Sequence, residues 1–153
     1  MRSLSPGPVL IPVKSLRTKS SPVAAADAWI ALAEHRPRRA VVSMRAAADR
    51  EDHTEKNVAM ENRLSPMREL LGELLLELGK PDEAQREFDA SLQTVPNRYR
   101  SLAGAARAAG LLRHEDAARA YHERLLALTQ DADTARPAIL AARAYLANRS
   151  SPP

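Results

Sequence analysis

The clearest pattern in the chain begins at residue 66. Met67, Leu70, Leu71, Leu74, Leu75 and Leu78 recur at three- and four-residue intervals, which puts them on one broad face of a helix predicted over 66–78. Ser65 stands where a cap belongs, and Pro66 takes the first helical position, where proline's missing N–H does no harm. Gly79, able to take positive φ, ends the helix. Pro81 opens the next one, with Ala84, Phe88, Ser91 and Leu92 inward, and Pro96 follows its end. Three more helices fit about 99–112, 115–129 and 136–147. The last sets apolar Ile139, Leu140 and Leu146 against polar Arg143 and Asn148, the pattern of a cap helix. Upstream, 23–34 and 38–49 read as two helices broken at Pro37. Residues 50–64 are polar and aperiodic and read as a loop insertion. The end of the chain, 149–153, is expected to fray.

The helices are related to one another. A shift of 34 positions carries Leu71 onto Ala105, Gly72 onto Ala106 and Leu75 onto Ala109. The same shift carries Ala84 onto Ala118, Phe88 onto His122 and Ser91 onto Leu125, without a gap. Small residues 12 positions apart, Gly72 with Ala84 and Ala106 with Ala118, face one another across each turn. Two antiparallel helices approach closely only where such small side chains meet. Upstream, Ala40, Met44 and Ala47 repeat the spacing of Ala84, Phe88 and Ser91, and Ala28 lies 12 before Ala40. Ala40 and Ala84 are 44 apart, and the 50–64 insertion accounts for the excess. Asp27 stands where an apolar residue belongs. Residues 22–49 are therefore read as a third, divergent hairpin, and 65–148 as two regular units with a cap helix.

Composition narrows the class. Hydrophobic residues make up 44% of the chain and aromatics only 3%, which favours close-packed helices over a sandwich or barrel. The absence of cysteine excludes disulfides, thiolate metal sites and cysteine nucleophiles. No apolar run is long enough to cross a membrane, and a cytoplasmic location is expected. The net charge of +4 sits entirely in residues 1–20, which hold Arg2, Lys14, Arg17 and Lys19 and no acid. Residues 1–21 read as a disordered basic tail, since Pro6, Pro8 and Pro12 forbid a helix; a targeting segment is the alternative. The remainder is balanced, which argues against nucleic acid as the partner.

The repeating residues resemble the tetratricopeptide repeat, a 34-residue helix–turn–helix unit. In 65–98, Leu71–Gly72 stands for the Leu–Gly pair, Leu75 for the usual Tyr, Ala84 for the small residue, Phe88 for the aromatic and Pro96 for the closing proline. Arg68 replaces the expected Trp. In 99–132 His122 replaces the aromatic, and the neighbouring Tyr121 is a candidate for the missing ring. The chain also resembles the C-terminal repeats of longer bacterial tetratricopeptide proteins, which implies a short relative or a truncated reading frame. The resemblance implies an all-α fold, an α-solenoid of about three antiparallel helix hairpins plus a C-terminal cap helix. It implies a concave groove formed by the first helix of each pair, holding a partner peptide or helix. The groove positions carried over are Glu69, Leu70, Glu73, Leu76 and Glu77 in one unit and Arg100, Ala103, Gly104 and Arg107 in the next. Two readings compete for the charges: Glu73 and Arg107, one period apart, pair and hold the stack, or Glu69, Glu73 and Glu77 select a basic segment. The Lys and Asn with which related domains grip C-terminal carboxylates are absent from the matching positions.

Catalytic signatures are missing. No phosphate-binding, dinucleotide or serine-elbow motif occurs, and 104–110 (GAARAAG) lacks the lysine and hydroxyl of a P-loop. His35, His53, His114 and His122 show no metal-ligand spacing; His114 reads as a helix start and His122 as a half-buried packing residue. Asp131 and Asp133 read as caps for the last helix rather than as a calcium loop. Trp29, the sole tryptophan, suits core packing better than a groove anchor. A non-catalytic, cofactor-free module that binds protein or peptide is expected, with no small-molecule substrate. The alternative is a helical nucleic-acid binder that uses the basic tail and surface arginines.

Overall fold

The computed structural model describes residues 21–53, 66–131 and 136–150. The readings of 1–20, 54–64, Ser65, Asp133 and 151–153 lie outside the described residues. Seven helices follow in order: α1 (Ser21–Ala33), α2 (Pro37–Asp52), α3 (Met67–Glu77), α4 (Pro81–Thr94), α5 (Tyr99–Leu111), α6 (Glu115–Leu128) and α7 (Pro137–Ser150). No strand occurs among the described residues. Each helix packs on the next, and α1 touches α3 as α3 touches α5. The result is three hairpins and a seventh helix, stacked as a solenoid.

The three hairpins share one turn. His35, Gly79 and Arg113 take left-handed φ of 56°, 67° and 57°. Each donates its N–H three residues back, to Leu32, Leu76 or Gly110, at 2.9–3.1 Å. The following residue donates five back, to Ala31, Leu75 or Ala109, at 2.8–3.0 Å. The second helix then opens with Ala40, Ala84 and Ala118, whose N–H groups reach Arg36, Lys80 and His114. The divergent hairpin is thus the same unit as the other two, although only Gly79 is suited to the strained residue.

Small residues let the helices close up. Ala28, Ala40, Gly72, Ala84, Ala106 and Ala118 are all buried, as the 12-residue spacing requires. Phe88 fills the space between the second and third hairpins and is fully buried, worth roughly 2–3 kcal/mol of transfer energy. Met44, at the matching position of α2, is fully buried as well.

Three features depart from expectation. α2 runs three residues beyond Asp49, to Asp52. The extension has work to do: Glu51 accepts the Met67 N–H at 2.7 Å, and Asp49 and Asp52 hold Arg68 at 2.7–2.8 Å. Arg68 also reaches Glu87 on α4 at 2.8 Å. The arginine in the usual tryptophan position therefore ties α2, α3 and α4 by charge instead of by area. Pro66 itself is the N-cap of α3, with ψ of 138°, and lies just outside the helix. In α7, Ile139 and Ala142 are buried, whereas Leu140 is 52% exposed. Leu140 matches Ala106, which faces the second helix of its own hairpin; the described residues supply α7 with no such helix.

Candidate groove on the concave face

The first helices of the hairpins, with α7, border a groove of about 880 Å³. Trp29 and Leu32 of α1 form one end, Leu76 of α3 and Ala103 of α5 the middle, and Ala138 and Tyr145 of α7 the other end. Phe88, His122 and Leu125 from the second helices supply its floor. The floor is smooth because α5 offers Ala103, Gly104, Ala106 and Gly110 to it.

Gly104 is fixed by what lies beneath it. A Cβ there would stand 2.3 Å from the Phe88 ring, and one on Gly72 would stand 2.8 Å away. The ring is held between two glycines on successive first helices. The second-helix position of Phe88 becomes His122 in the next unit. His122 meets Tyr145 of α7, ring centroids 4.6 Å apart and tilted by 37°. Burial holds its pKa below the usual 6.5, and its buried Nδ1 has no hydrogen-bond partner among the described residues. Tyr121 does not replace the missing aromatic. Its hydroxyl donates to Asp89 of α4, and burial, with that bond, pushes its pKa up to about 12.

The carboxylate row of α3 is not a row of free charges. Glu69 is 0% exposed. Its oxygens accept from Arg98 Nε at 2.8 Å, Arg98 Nη2 at 3.2 Å and Ser101 Oγ at 2.8 Å, and Ser101 is joined to Ser91 at 2.9 Å. Glu69 therefore cannot meet a groove partner; it ties α3 to α5 from within. Glu73 pairs with Arg100 at 2.7 Å, and Glu77 approaches Arg107 at 3.9 Å. The expected Glu73–Arg107 pair is not the one formed. The partners of Glu73 and Glu77 lie 27 and 30 residues on instead of 34, within the reach of long arginine side chains.

Of the residues carried over from the sequence, Glu73, Leu76, Glu77, Arg100, Ala103, Gly104 and Arg107 border the groove together. Glu69 and Leu70 do not; Leu70 packs against the core. Three aromatic residues join the site that sequence reasoning left out or ranked as core: Trp29, Tyr99 and Tyr145. Trp29 borders the groove and also packs on the core. The signal for it was present. Adding 44 to 29 gives Glu73, and successive steps of 34 give Arg107 and Ala141, all bordering the groove. Tyr99 carries the Arg136 guanidinium over its ring at 5.4 Å, which closes one rim. Among the described residues no group of three His, Asp or Glu could hold a metal, and no helix is long and apolar enough to cross a membrane.

No protein-family model and no curated protein matches the chain. Solved structures do. The first tetratricopeptide domain of Spaghetti (RPAP3), bound to the HSP90 peptide SRMEEVD, superposes with a TM-score of 0.65 at 13% identity, over 86% of this chain and 94% of that one. PcrH from Pseudomonas aeruginosa superposes with a TM-score of 0.63 at 15% identity, over 92% of this chain and 96% of that one. Likeness at such low identity is likeness of backbone, and it agrees with the turns and small-residue contacts above. The chain has the tetratricopeptide-repeat fold, an α-solenoid of three helical hairpins and a closing helix.

Proposed function

We propose that this chain is a non-catalytic protein-interaction module that takes a partner peptide or helix in its concave groove. The observation that carries the reading is the composition of the groove. Trp29, Leu32, Leu76, Tyr99 and Tyr145 offer apolar and aromatic area around a floor of small residues. The charges at its rim are already matched, Glu73 with Arg100 and Glu77 near Arg107. Selection of a basic segment by three free carboxylates is therefore weakly supported. An occupant that inserts apolar side chains, with polar groups at the rim, suits the groove better. The groove walls are helices packed on a buried core, so little order has to be imposed on binding.

The test is selection of peptides from a displayed random library. Trp29 is the sole tryptophan, so its emission reports occupancy of one end of the groove. Selected peptides should shift that emission. Binders that leave it unchanged and compete with nothing in the groove would count against the reading.

A further inference from the structure

Residues 1–20 join the solenoid at the helix that forms one end of the groove. They precede Ser21, the first residue of α1, whose Oγ donates to the Ala47 carbonyl oxygen at 3.3 Å and so fixes the point of departure. α1 lines the groove with Trp29 and Leu32. Trp29 lies eight residues past Ser21, about 12 Å along the helix at roughly 1.5 Å per residue. Val13 lies eight residues before Ser21, and an extended chain of that length reaches about 26 Å. Returning from Ser21 to Trp29 uses about half of that reach.

The composition of this segment suits the groove. Val9, Leu10 and Ile11, followed by Pro12 and Val13, form its one apolar run, and Pro8 and Pro12 favour an extended chain. Resting on the reading of the groove as a polypeptide site, we propose that residues 8–13 of this chain are themselves its occupant, folded back over α1 so that a partner has to displace them. With Val13 beside Trp29, four extended residues span about 13 Å and carry Val9 past Leu76 of α3 towards Ala103 of α5. The apolar side chains then meet the aromatic end and the floor of small residues. Lys14, next in the chain, comes within reach of Glu77, whose side chain is 56% exposed and stands 3.9 Å from Arg107. Residues 1–20 contain no acid and carry the whole net charge of +4, so the groove carboxylates meet only basic groups from them. Attachment to α1 supplies the segment at an effective concentration on the order of 1 mM. A segment that binds as a free peptide with a Kd of about 0.1 mM therefore fills the groove about nine-tenths of the time, and lowers a partner's apparent affinity about tenfold.

The full chain carries the test. Leu10→Asp with Ile11→Asp removes the apolar run, whereas Ser3→Asp with Ser5→Asp adds the same charge and leaves the run intact. The first double variant should shift the emission of Trp29 to longer wavelength, and should bind a library-selected groove peptide about tenfold more tightly than the wild type. The second should match the wild type in both. A synthetic peptide of residues 1–20, added to the first variant, should restore the wild-type emission saturably and compete with the selected peptide. Equal emission and equal affinity in the wild type and the first variant, with the selected peptide bound by both, overturn the proposal and leave the groove reading standing. An equal gain in the second variant assigns the effect to charge and overturns it as well, as does a 1–20 peptide that binds without competing. If the selected peptides bind neither chain in the groove, the groove reading falls and this proposal with it.

Discussion

Gly104 and Phe88 are in contact so close that no side chain fits between them: a Cβ on Gly104 would lie 2.3 Å from the ring. One is on α5 and the other on α4, so this contact sets how tightly the third hairpin docks on the second. Gly104→Ala should therefore lower stability by on the order of 1–3 kcal/mol, since the ring is enclosed and cannot step aside. Gly110, in the same helix, has nothing within 4 Å of its would-be Cβ. Gly110→Ala should raise stability by about 0.5–1 kcal/mol through helix propensity alone. Chemical denaturation of the two variants decides the matter by the sign of the change.

The charged rows of α3 and α5 should divide sharply by burial. Glu69→Ala strips the buried partner from Arg98 and Ser101, and should cost on the order of 3–5 kcal/mol. Glu73→Ala loosens a partly exposed pair and should cost no more than about 1 kcal/mol. Denaturation midpoints that fall equally in both variants would contradict the placement of Glu69.

Acid should weaken the C-terminal end. His122 titrates near 6.5 when unfolded and lower in the fold, because burial disfavours its cation. Between those values the unfolded chain binds more protons, so stability is full above about 6.5 and falls as the pH drops through the window below it. His122→Phe should flatten that part of the profile. Thermal melts across the range measure it.

The turns offer a test that touches no contact. Arg113 holds a left-handed backbone at a φ of 57°, where a side chain is strained. Arg113→Gly should gain about 1 kcal/mol, and Gly79→Ala, at a φ of 67°, should lose about as much. Calorimetric melting temperatures should move in opposite directions.

Much of this architecture was legible in the order of residues. The 34-residue recurrence of small side chains predicted the register of α3 to α6, because close helix approach tolerates only those residues at those places. The divergent hairpin was legible through Ala28, Ala40, Met44 and Ala47, and it makes the same turn as the other two. What sequence reasoning misjudged were long polar side chains. Glu69 lay on the groove side by repeat arithmetic, yet it is buried, because Arg98 and Ser101 reach it from the next helix. Pairing of Glu73 with Arg100 depends on where a long arginine side chain reaches, which periodicity does not contain. Leu140 stood with Ile139 among the apolar positions of the cap helix, but apolarity does not set orientation: Ile139 is buried, whereas Leu140 is exposed, and among the described residues no further helix packs on α7.

The central claim is that the concave groove holds another polypeptide. Its most direct test is titration calorimetry of a library-selected peptide against the wild type and against Ala141→Trp. The account predicts saturable binding to the wild type and loss of at least tenfold in affinity, about 1.4 kcal/mol, when the groove is filled. Equal affinity for both chains, with Ala141→Trp fully folded, would contradict it.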